Sequence, residues 1–248
     1  MPVFNERATV ARAVDRVRSV PMNMEIICVD DCSSDGTRDL LHELAATGRI
    51  DQLVLHDTNR GKGAAIRSAL VRASGDVVVI QDADLEYDPT DILRLLGPVA
   101  DGRADAVFGS RFRGDVSRVL YYWHSLGNWG LTTLSNMLTN LNVSDMETCY
   151  KLVKTDLMKS LPLTSDRFGF EPELTARLAQ SRARIYEVPI SYSGRTYAEG
   201  KKVRWTDGAA AIWHIFKFNV LSEKAPRYWL DAQATDPSDP ESATSRSS

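Results

Sequence analysis

The stretch VVVIQDADLEYDP, residues 77–89, decides the fold class. A short apolar run rich in β-branched residues, typical of a buried strand, leads directly into Asp82, Asp84 and Glu86. Carboxylates that crowd together at the end of a strand repel one another unless a cation lies among them. The pattern therefore predicts a strand that brings an acidic cluster to one edge of a sheet.

Similar apolar runs occur elsewhere, and the predicted strands are residues 25–30, 52–56, 76–81 and 104–109. Amphipathic segments accompany the strands; Val10, Val14 and Val17, for example, fall on one helical face. Because strands and helices alternate, the predicted fold class is α/β, with a mostly parallel sheet flanked by helices. The opening MPVFNE is similar to the end of a first strand and its exit loop, which predicts a truncated first strand.

The chain has 248 residues, 43% apolar and 25% charged, which is an ordinary globular composition. This length allows one substantial α/β core or at most two small ones. No apolar run reaches the roughly 20 residues that span a bilayer, and no signal-peptide pattern is present, so we expect a cytoplasmic protein. The cysteines Cys28, Cys32 and Cys149 lack the spacing of a zinc site and are interpreted as reduced thiols.

The net charge of −3 is distributed unevenly. Residues 231–248 hold four acidic residues and one arginine, and this acidic Ser/Pro tail is predicted to be disordered. In the neutral remainder, the segment GRTYAEGKKVRW concentrates four basic residues, Arg195, Lys201, Lys202 and Arg204. A small basic loop on a neutral body favours an anionic small ligand or a membrane surface over nucleic acid.

Polar and acidic residues follow each predicted strand, at the edge where a doubly wound sheet binds its ligands. The segments are residues 5–6, 30–36, 57–63, 82–86 and 109–111. Mg²⁺ or Mn²⁺, which prefer carboxylate and phosphate oxygens, would relieve the repulsion among the acids. An Asp82-x-Asp84 pair with phosphate-binding loops nearby points to a metal-bridged diphosphate.

Each motif also has a purely structural explanation. Asp82 and Asp84 fit a turn or a helix cap, Asp35 fits a helix cap, and Lys62 fits a solvated charge. The order of the motifs at successive strand ends favours the functional explanation. A response-regulator receiver does not fit, because it needs a lysine after the fifth strand, where this chain has GSRFRG.

These motifs together resemble a family 2 glycosyltransferase with the GT-A fold. Within that family the chain is similar to the polyprenyl-phosphate sugar synthases, the group of dolichyl-phosphate mannose synthase and dolichyl-phosphate glucosyltransferase. The resemblance covers residues 1–220, which would form one catalytic domain. It rests on eight segments in order: PVFNE, VDDCSSDGT, NRGKGAAIRSAL, QDADLEYDP, GSRF, VSDMETCYKLV, FGFEPEL and EVPISYSGRTYAEGKKVRWTDG. The chain departs from the group in its shortened first strand and its lack of the membrane helices that many members carry.

The resemblance implies a nucleotide pocket lined by Pro2, Phe4, Glu6 and Asp31. Asp31 would accept a hydrogen bond from the base or the ribose. Asp82 would lie beside the ribose and the diphosphate of the donor.

The resemblance also implies the metal and the catalytic groups. Asp84 and Glu86 would hold Mg²⁺ or Mn²⁺, and Arg195 would clamp the donor diphosphate with paired hydrogen bonds. The reaction would be an inverting transfer of a hexose from GDP-mannose or UDP-glucose, in which these groups stabilise the departing nucleoside diphosphate.

Two kinds of acceptor remain open. A polyprenyl or dolichyl phosphate is already largely ionised near neutral pH, and Arg111 and Arg118 would position it. A hydroxyl acceptor needs a general base, and Asp145 is the best candidate for that role. Glu171 and Glu173 would frame the acceptor cleft.

Two other classes are weaker. A sugar-nucleotide-forming nucleotidyltransferase carries a Gly-rich basic first loop that PVFNERATV lacks, and the intact acids and Arg195 argue against a non-catalytic binding module.

A polyprenyl acceptor requires contact with a bilayer. Residues 121–138 and 205–220 mix Trp and Tyr with aliphatic residues, as interfacial helices do. Either they lie on a membrane, peripheral at its inner face, or they pack on the catalytic domain.

Overall fold

The structure, a computed structural model, describes residues 1–113, 118, 121–196 and 205–228, and residues 205–207 only by their backbone. The predicted disordered tail, 231–248, lies outside the described residues, as do Lys201, Lys202 and Arg204.

The described elements follow one another in the order expected from the alternating pattern. They are β1 (Pro2–Val3), α1 (Val10–Arg18), β2 (Ile27–Asp30), α2 (Thr37–Ala46), β3 (Gln52–Leu55), α3 (Lys62–Leu70), β4 (Val77–Val79), a 3₁₀ turn (Pro89–Asp91), α4 (Ile92–Ala100), β5 (Ala106–Ser110), α5 (Tyr122–Thr139), β6 (Lys151–Lys154), α6 (Thr155–Ser160), α7 (Phe170–Gln180), β7 (Ile185–Pro189), α8 (Trp205–Phe216) and a π-helical turn (Lys217–Leu221).

The strands form two sheets. In the first, β1, β2 and β3 are all parallel, with Val3 opposite Asp30 and Asp30 opposite Leu55. In the second, the order is β4-β6-β5-β7; β5 and β7 are parallel, and β6 runs antiparallel to both of its neighbours. The predicted α/β class and its parallel sheet flanked by helices are confirmed. The strands β6 and β7 were not predicted.

The core has two parts, one for each sheet. Beneath the first sheet, the predicted apolar face of α1 is buried through Val10, Val14 and Val17. The larger part surrounds β5 and β6 and contains Phe108 and Tyr150, neither of which is exposed to solvent. Each sheet therefore holds its strand ends rigidly enough to position the polar residues that follow them.

Helices α5 and α8 pack against each other and against α7. The ring of His214, on α8, lies against Gly169, where an added Cβ would come within 2.6 Å of the ring. The two helices carry exposed apolar side chains: Tyr122, Trp123, Leu126, Trp129, Met137, Ile212, Trp213 and Phe216. Within the described chain, no helix combines the length and the apolar character needed to cross a membrane.

Residues 164–167 lie directly on the start of α3. The backbone N–H of Ala64 donates to the carbonyl oxygen of Asp166 at 3.1 Å. A Cβ on Gly63 would fall on the carbonyl oxygen of Ser165, so this position accepts only glycine.

We therefore expect Gly63→Ala to lower the free energy of unfolding by roughly 1–3 kcal/mol, the usual cost of overpacking. Gly130→Ala is the matched control, because no atom lies within 4 Å of an added Cβ at that position on α5. It should raise the free energy of unfolding by up to about 1 kcal/mol through helix propensity. Urea denaturation of both variants measures the difference, and equal stability would contradict this account of the contact.

Candidate active site

The acids that follow β4 occupy a tight turn. Leu85 adopts a left-handed conformation with φ of 65°, and the backbone N–H of Glu86 donates to Asp84 Oδ1 at 3.1 Å. A positive φ is uncommon for a residue with a branched side chain and persists where the surroundings require it. The turn holds Asp84 and Glu86 beside each other at the carboxyl edge of the sheet.

Asp82 is held by a buried ion pair. The ammonium of Lys62 lies 3.1 Å from Asp82 and 2.9 Å from Glu171, in the first turn of α7. Burial alone would raise the pKa of Asp82, but the charge of Lys62 and hydrogen bonds from Lys62 and Cys149 lower it. The structural alternative for Lys62, a solvated charge, does not hold, because its side chain is only 18% exposed.

Asp84 has an excess of negative charge around it. Burial raises its pKa to about 7, and the carboxylates of Asp82 and Glu86 add to that effect. A carboxyl that is difficult to ionise in the protein alone fits a position beside a bound cation, whose charge would reverse the shift.

Glu86 connects this turn to the segment that follows β7. It accepts hydrogen bonds from the Tyr192 hydroxyl at 2.7 Å and from the backbone N–H of Arg195 at 2.8 Å. Its own carbonyl oxygen accepts from the N–H of Ser193 at 2.8 Å. Glu86 therefore positions Arg195 as well as adding charge to the cluster.

The guanidinium of Arg195 lies among three carboxylates. It is 3.4 Å from Glu6, 3.5 Å from Asp84 and 3.5 Å from Glu86. The structure thus brings together four of the predicted site residues from three distant parts of the chain.

Asp84 and Glu86 fit a divalent cation that has only some of its ligands in the protein. Within the described ranges, no three His, Cys, Asp or Glu side chains form a metal-binding group. Mg²⁺ commonly binds one or two carboxylates together with substrate phosphates and water. Asp84 and Glu86 match that donor set.

The predicted nucleotide loops lie at the same edge. Pro2 belongs to β1, and Phe4, which follows it, is 39% exposed. Glu6 accepts a hydrogen bond from the Thr9 hydroxyl at 2.7 Å and faces Arg195.

The carboxylate of Asp31 is hydrogen-bonded to other groups of the protein. Its carboxylate accepts hydrogen bonds from the backbone N–H groups of Arg60 at 2.9 Å and Gly61 at 2.6 Å, and lies 2.7 Å from a ring nitrogen of His56. Burial opposes its ionisation, but these bonds lower its pKa overall. The expected contact with the base or ribose does not fit this geometry, in which Asp31 shapes the loop before α3.

Arg111 and Asp145, assigned to the acceptor side, form a buried ion pair. Two guanidinium nitrogens of Arg111 lie 2.7 Å from the two carboxylate oxygens of Asp145, and the backbone N–H of Arg111 donates to it at 3.1 Å. Burial would raise the pKa of Asp145, but Arg111 lowers it. A fully buried carboxylate so engaged does not fit the role of general base.

Arg118 is exposed. Its guanidinium donates to the carbonyl oxygen of Gly194 at 3.2 Å, and its backbone N–H donates to Tyr192 at 3.0 Å. Arg118 therefore borders the segment that carries Arg195. The ring of Tyr192, in the same segment, lies against Arg111, whose guanidinium carbon is 5.2 Å from the ring centre.

Sequence reasoning left two residues out of the site. Lys62 was signalled only by its position between two glycines in NRGKGAA. Tyr192 lies two residues beyond Ile190 in the segment after β7, and a single tyrosine there carries no recognisable pattern.

The family model described as "Glycosyl transferase family 2" matches residues 1–161. The polyprenol monophosphomannose synthase of Mycolicibacterium smegmatis is 30% identical over 227 residues, covering 87% of this chain and 85% of that protein. The low-salt glycan biosynthesis hexosyltransferase Agl6 of Haloferax volcanii is 28% identical over 94% of this chain. The chain spans only 54% of the length of Agl6.

A solved structure shares the fold. Glucosyl-3-phosphoglycerate synthase from Mycobacterium tuberculosis, in complex with Mn²⁺ and UDP-glucose, superposes with a TM-score of 0.68 over 90% of this chain and 78% of that one. The sequences are 20% identical, so the similarity establishes the fold alone.

The raised pKa of Asp84 predicts that the free energy of unfolding depends on pH. Between the pKa of an unfolded Asp, about 4, and about 7, the folded protein binds more protons than the unfolded one, so stability falls as pH rises. In EDTA at pH 8, we expect Asp84→Asn to be more stable than the wild type by roughly 1–2 kcal/mol, and the difference to vanish near pH 4.

Asp88→Asn is the control of opposite sign. The side chain of Asp88 accepts a hydrogen bond from the N–H of Thr90 at 3.0 Å, and its pKa is lowered by that bond against the effect of burial. This variant should be less stable than the wild type at pH 8. Guanidinium denaturation across the pH range measures the stability of both variants and of the wild type. An Asp84→Asn protein that is no more stable than the wild type at pH 8 would contradict the prediction for Asp84.

Proposed function

Because the chain belongs to glycosyl transferase family 2, we propose that it transfers a hexose from a nucleotide sugar to a polyprenyl phosphate, with inversion at the anomeric carbon. The observation that carries the proposal is the convergence of Glu6, Asp84, Glu86 and Arg195 at the carboxyl edge of the sheet. The relative from Mycolicibacterium smegmatis, named a polyprenol monophosphomannose synthase, supports the choice of acceptor.

The donor would bind with its diphosphate beside the turn that follows β4. Asp84 and Glu86 would hold Mg²⁺ or Mn²⁺, which would neutralise charge that develops on the leaving diphosphate. Asp82, fixed by Lys62, would lie next to the ribose and the diphosphate. Pro2, Phe4 and the segment around Asp31 would enclose the nucleoside of GDP-mannose or UDP-glucose.

Arg195 would act on the leaving group. A planar guanidinium forms paired hydrogen bonds to phosphate oxygens, and the strength of these bonds increases as the bond to the sugar breaks. Its distances of 3.4 to 3.5 Å from three carboxylates are longer than those of ordinary charged hydrogen bonds. The guanidinium is therefore near the site without being held tightly by any one acid.

The acceptor phosphate would need no general base. A phosphate monoester with a second pKa near 6 is already largely ionised at neutral pH. This agrees with Asp145, which is fully occupied by Arg111. Arg111 and Arg118, which both contact Tyr192, would orient the phosphate.

Contact with a bilayer would come from α5 and α8. Trp129 and Trp213 are 65% and 56% exposed, and Phe216 is 44% exposed. Large amphipathic rings are favoured at the interface between lipid and water. Such a surface would place the protein peripherally at the inner face of the membrane, where a polyprenyl phosphate presents its head group.

The test is transfer of a labelled hexose from GDP-mannose or UDP-glucose to a short polyprenyl phosphate, with Mn²⁺ and with excess EDTA. We expect lipid-linked product with the metal and none in EDTA. Arg195→Ala should lower kcat about 10²- to 10³-fold, the usual effect of removing one stabilising donor, with a smaller change in the KM for the donor.

Arg103→Ala is the control for loss of an arginine, since Arg103 pairs at the surface with Asp101 at 2.6 Å. It should leave kcat unchanged. Transfer to a water-soluble alcohol and not to polyprenyl phosphate would overturn the proposal of a lipid acceptor. Unchanged turnover of Arg195→Ala would overturn the role proposed for Arg195.

Membrane contact is tested separately by flotation with liposomes. Burial of a Trp or Phe side chain is worth roughly 1.5–3 kcal/mol. Replacing both Trp213 and Phe216 by Ser should thus weaken binding at least ~10-fold. The control, Val71→Ser, removes an 83% exposed apolar side chain at the end of α3 and should bind like the wild type. Equal flotation of the double variant and the wild type would exclude α8 as the contact.

A further inference from the structure

Two buried polar atoms on the loop 145–149 have no hydrogen-bond partner among the described residues. They are Oε1 of Glu147 and Oγ1 of Thr148, and Thr148 is 0% exposed. Buried polar atoms without a partner are rare in native proteins, because each loses its bonds to water without replacement. Two adjacent ones in an active-site loop indicate a polar ligand.

The ends of this loop are fixed by the two halves of the site. At one end, Asp145 is paired with Arg111 at 2.7 Å. At the other, the thiol of Cys149 lies 3.6 Å from the carbonyl oxygen of Ile80, two residues before Asp82. Glu147 and Thr148 therefore lie between the arginine assigned to the acceptor phosphate and the carboxylate assigned to the donor.

Glu147 has a second carboxylate as its neighbour. Burial raises the pKa of Glu147 to about 7, and the charge of Glu171 adds to this effect. Glu171 itself is paired with Lys62 at 2.9 Å. A carboxyl group that is partly protonated near neutral pH both donates and accepts hydrogen bonds.

Neither lysine beside this loop is available to an anionic ligand. Both lysines of the cluster are occupied: Lys62 by two carboxylates, and Lys151 by the carbonyl oxygens of Met146 at 2.7 Å and Thr148 at 2.6 Å. What the cluster offers is carboxyl and hydroxyl oxygens. Alcohol groups, which donate and accept at once, match these oxygens.

We propose that Glu147 and Thr148 bind hydroxyl groups of the hexose in the bound nucleotide sugar, and that Glu147 determines which hexose is accepted. The inference rests on the proposed function, since it needs a nucleotide sugar in the site. The carboxyl of Glu147 and the hydroxyl of Thr148 offer two hydrogen-bonding positions. Epimeric hexoses differ in the direction of one hydroxyl group. Two protein groups held in fixed positions therefore match one epimer better than the other.

The experiment is isothermal titration calorimetry with Mn²⁺ and no acceptor. The ligands are GDP, GDP-mannose and GDP-glucose, and UDP, UDP-glucose and UDP-galactose. We expect Glu147→Ala to weaken binding of the preferred nucleotide sugar about 10-fold or more and to reduce the preference over its epimer, while the Kd of the nucleoside diphosphate stays unchanged. Glu147→Gln keeps the shape of the side chain and should lie between Glu147→Ala and the wild type.

The control is Glu43→Ala, on the exposed face of α2, which should match the wild type for every ligand. The hexose site is overturned if both Glu147 variants keep wild-type Kd values for all nucleotide sugars. It is also overturned if their affinity for the nucleoside diphosphate falls as much as their affinity for the nucleotide sugar. If Glu147→Ala fails to fold, Glu147→Gln alone decides between these outcomes. A wild-type protein that transfers a hexose keeps the proposed function intact in either case, whereas one that binds no nucleotide sugar overturns both.

Discussion

The arrangement of the site depends on one buried ammonium group, that of Lys62. It joins the start of α3, the exit of β4 and the first turn of α7, because its two carboxylate partners, Asp82 and Glu171, lie on the latter two. An unpaired charge in this position would cost several kcal/mol, so the three elements are stable only together. The thiol of Cys149 lies 3.6 Å from the carbonyl oxygen of Ile80, which places the end of the loop before it beside the strand exit that carries Asp82.

The charged groups of the site fall into two kinds. Lys62 and the pair of Arg111 with Asp145 have partners at 2.7 to 3.1 Å and are mostly buried, as is typical of groups that hold a structure together. Arg195 is different: none of its three acidic neighbours has an oxygen closer than 3.4 Å to the guanidinium. Burial, together with the charges of Asp82 and Glu86, raises the pKa of Asp84 beside it. Rigid pairs surround a cluster whose charge is left for ligands to balance, which is the preorganisation expected of an enzyme that stabilises a charged leaving group.

Local patterns in the sequence were enough to predict β2 to β5 and the edge at which the acids meet, but not β7, which precedes Tyr192 and Arg195. Apolar runs and the residues after them are both encoded within a few positions, and the sheet then brings their ends together. Partners that lie far apart in the chain were not predictable. Lys62 looks solvated until α7 brings Glu171 against it, and Asp31 looks available until His56 and the loop before α3 surround it. Likewise, Arg111 and Asp145 were both assigned to the acceptor, but their mutual ion pair exists only because β5 and the loop before β6 are neighbours in the fold.

The contact between Gly169 and His214 fixes the angle of rotation of α8 about its own axis. The ring can approach the backbone this closely only where a side chain is missing, so the contact is lost if the helix turns by even one residue. His214 stacks against Phe218 on the inner side, which leaves Trp213 and Phe216 directed outward. A single methyl group added at Gly169 would thus reorient the aromatic surface of α8, although position 169 itself lies at the start of a different helix, α7.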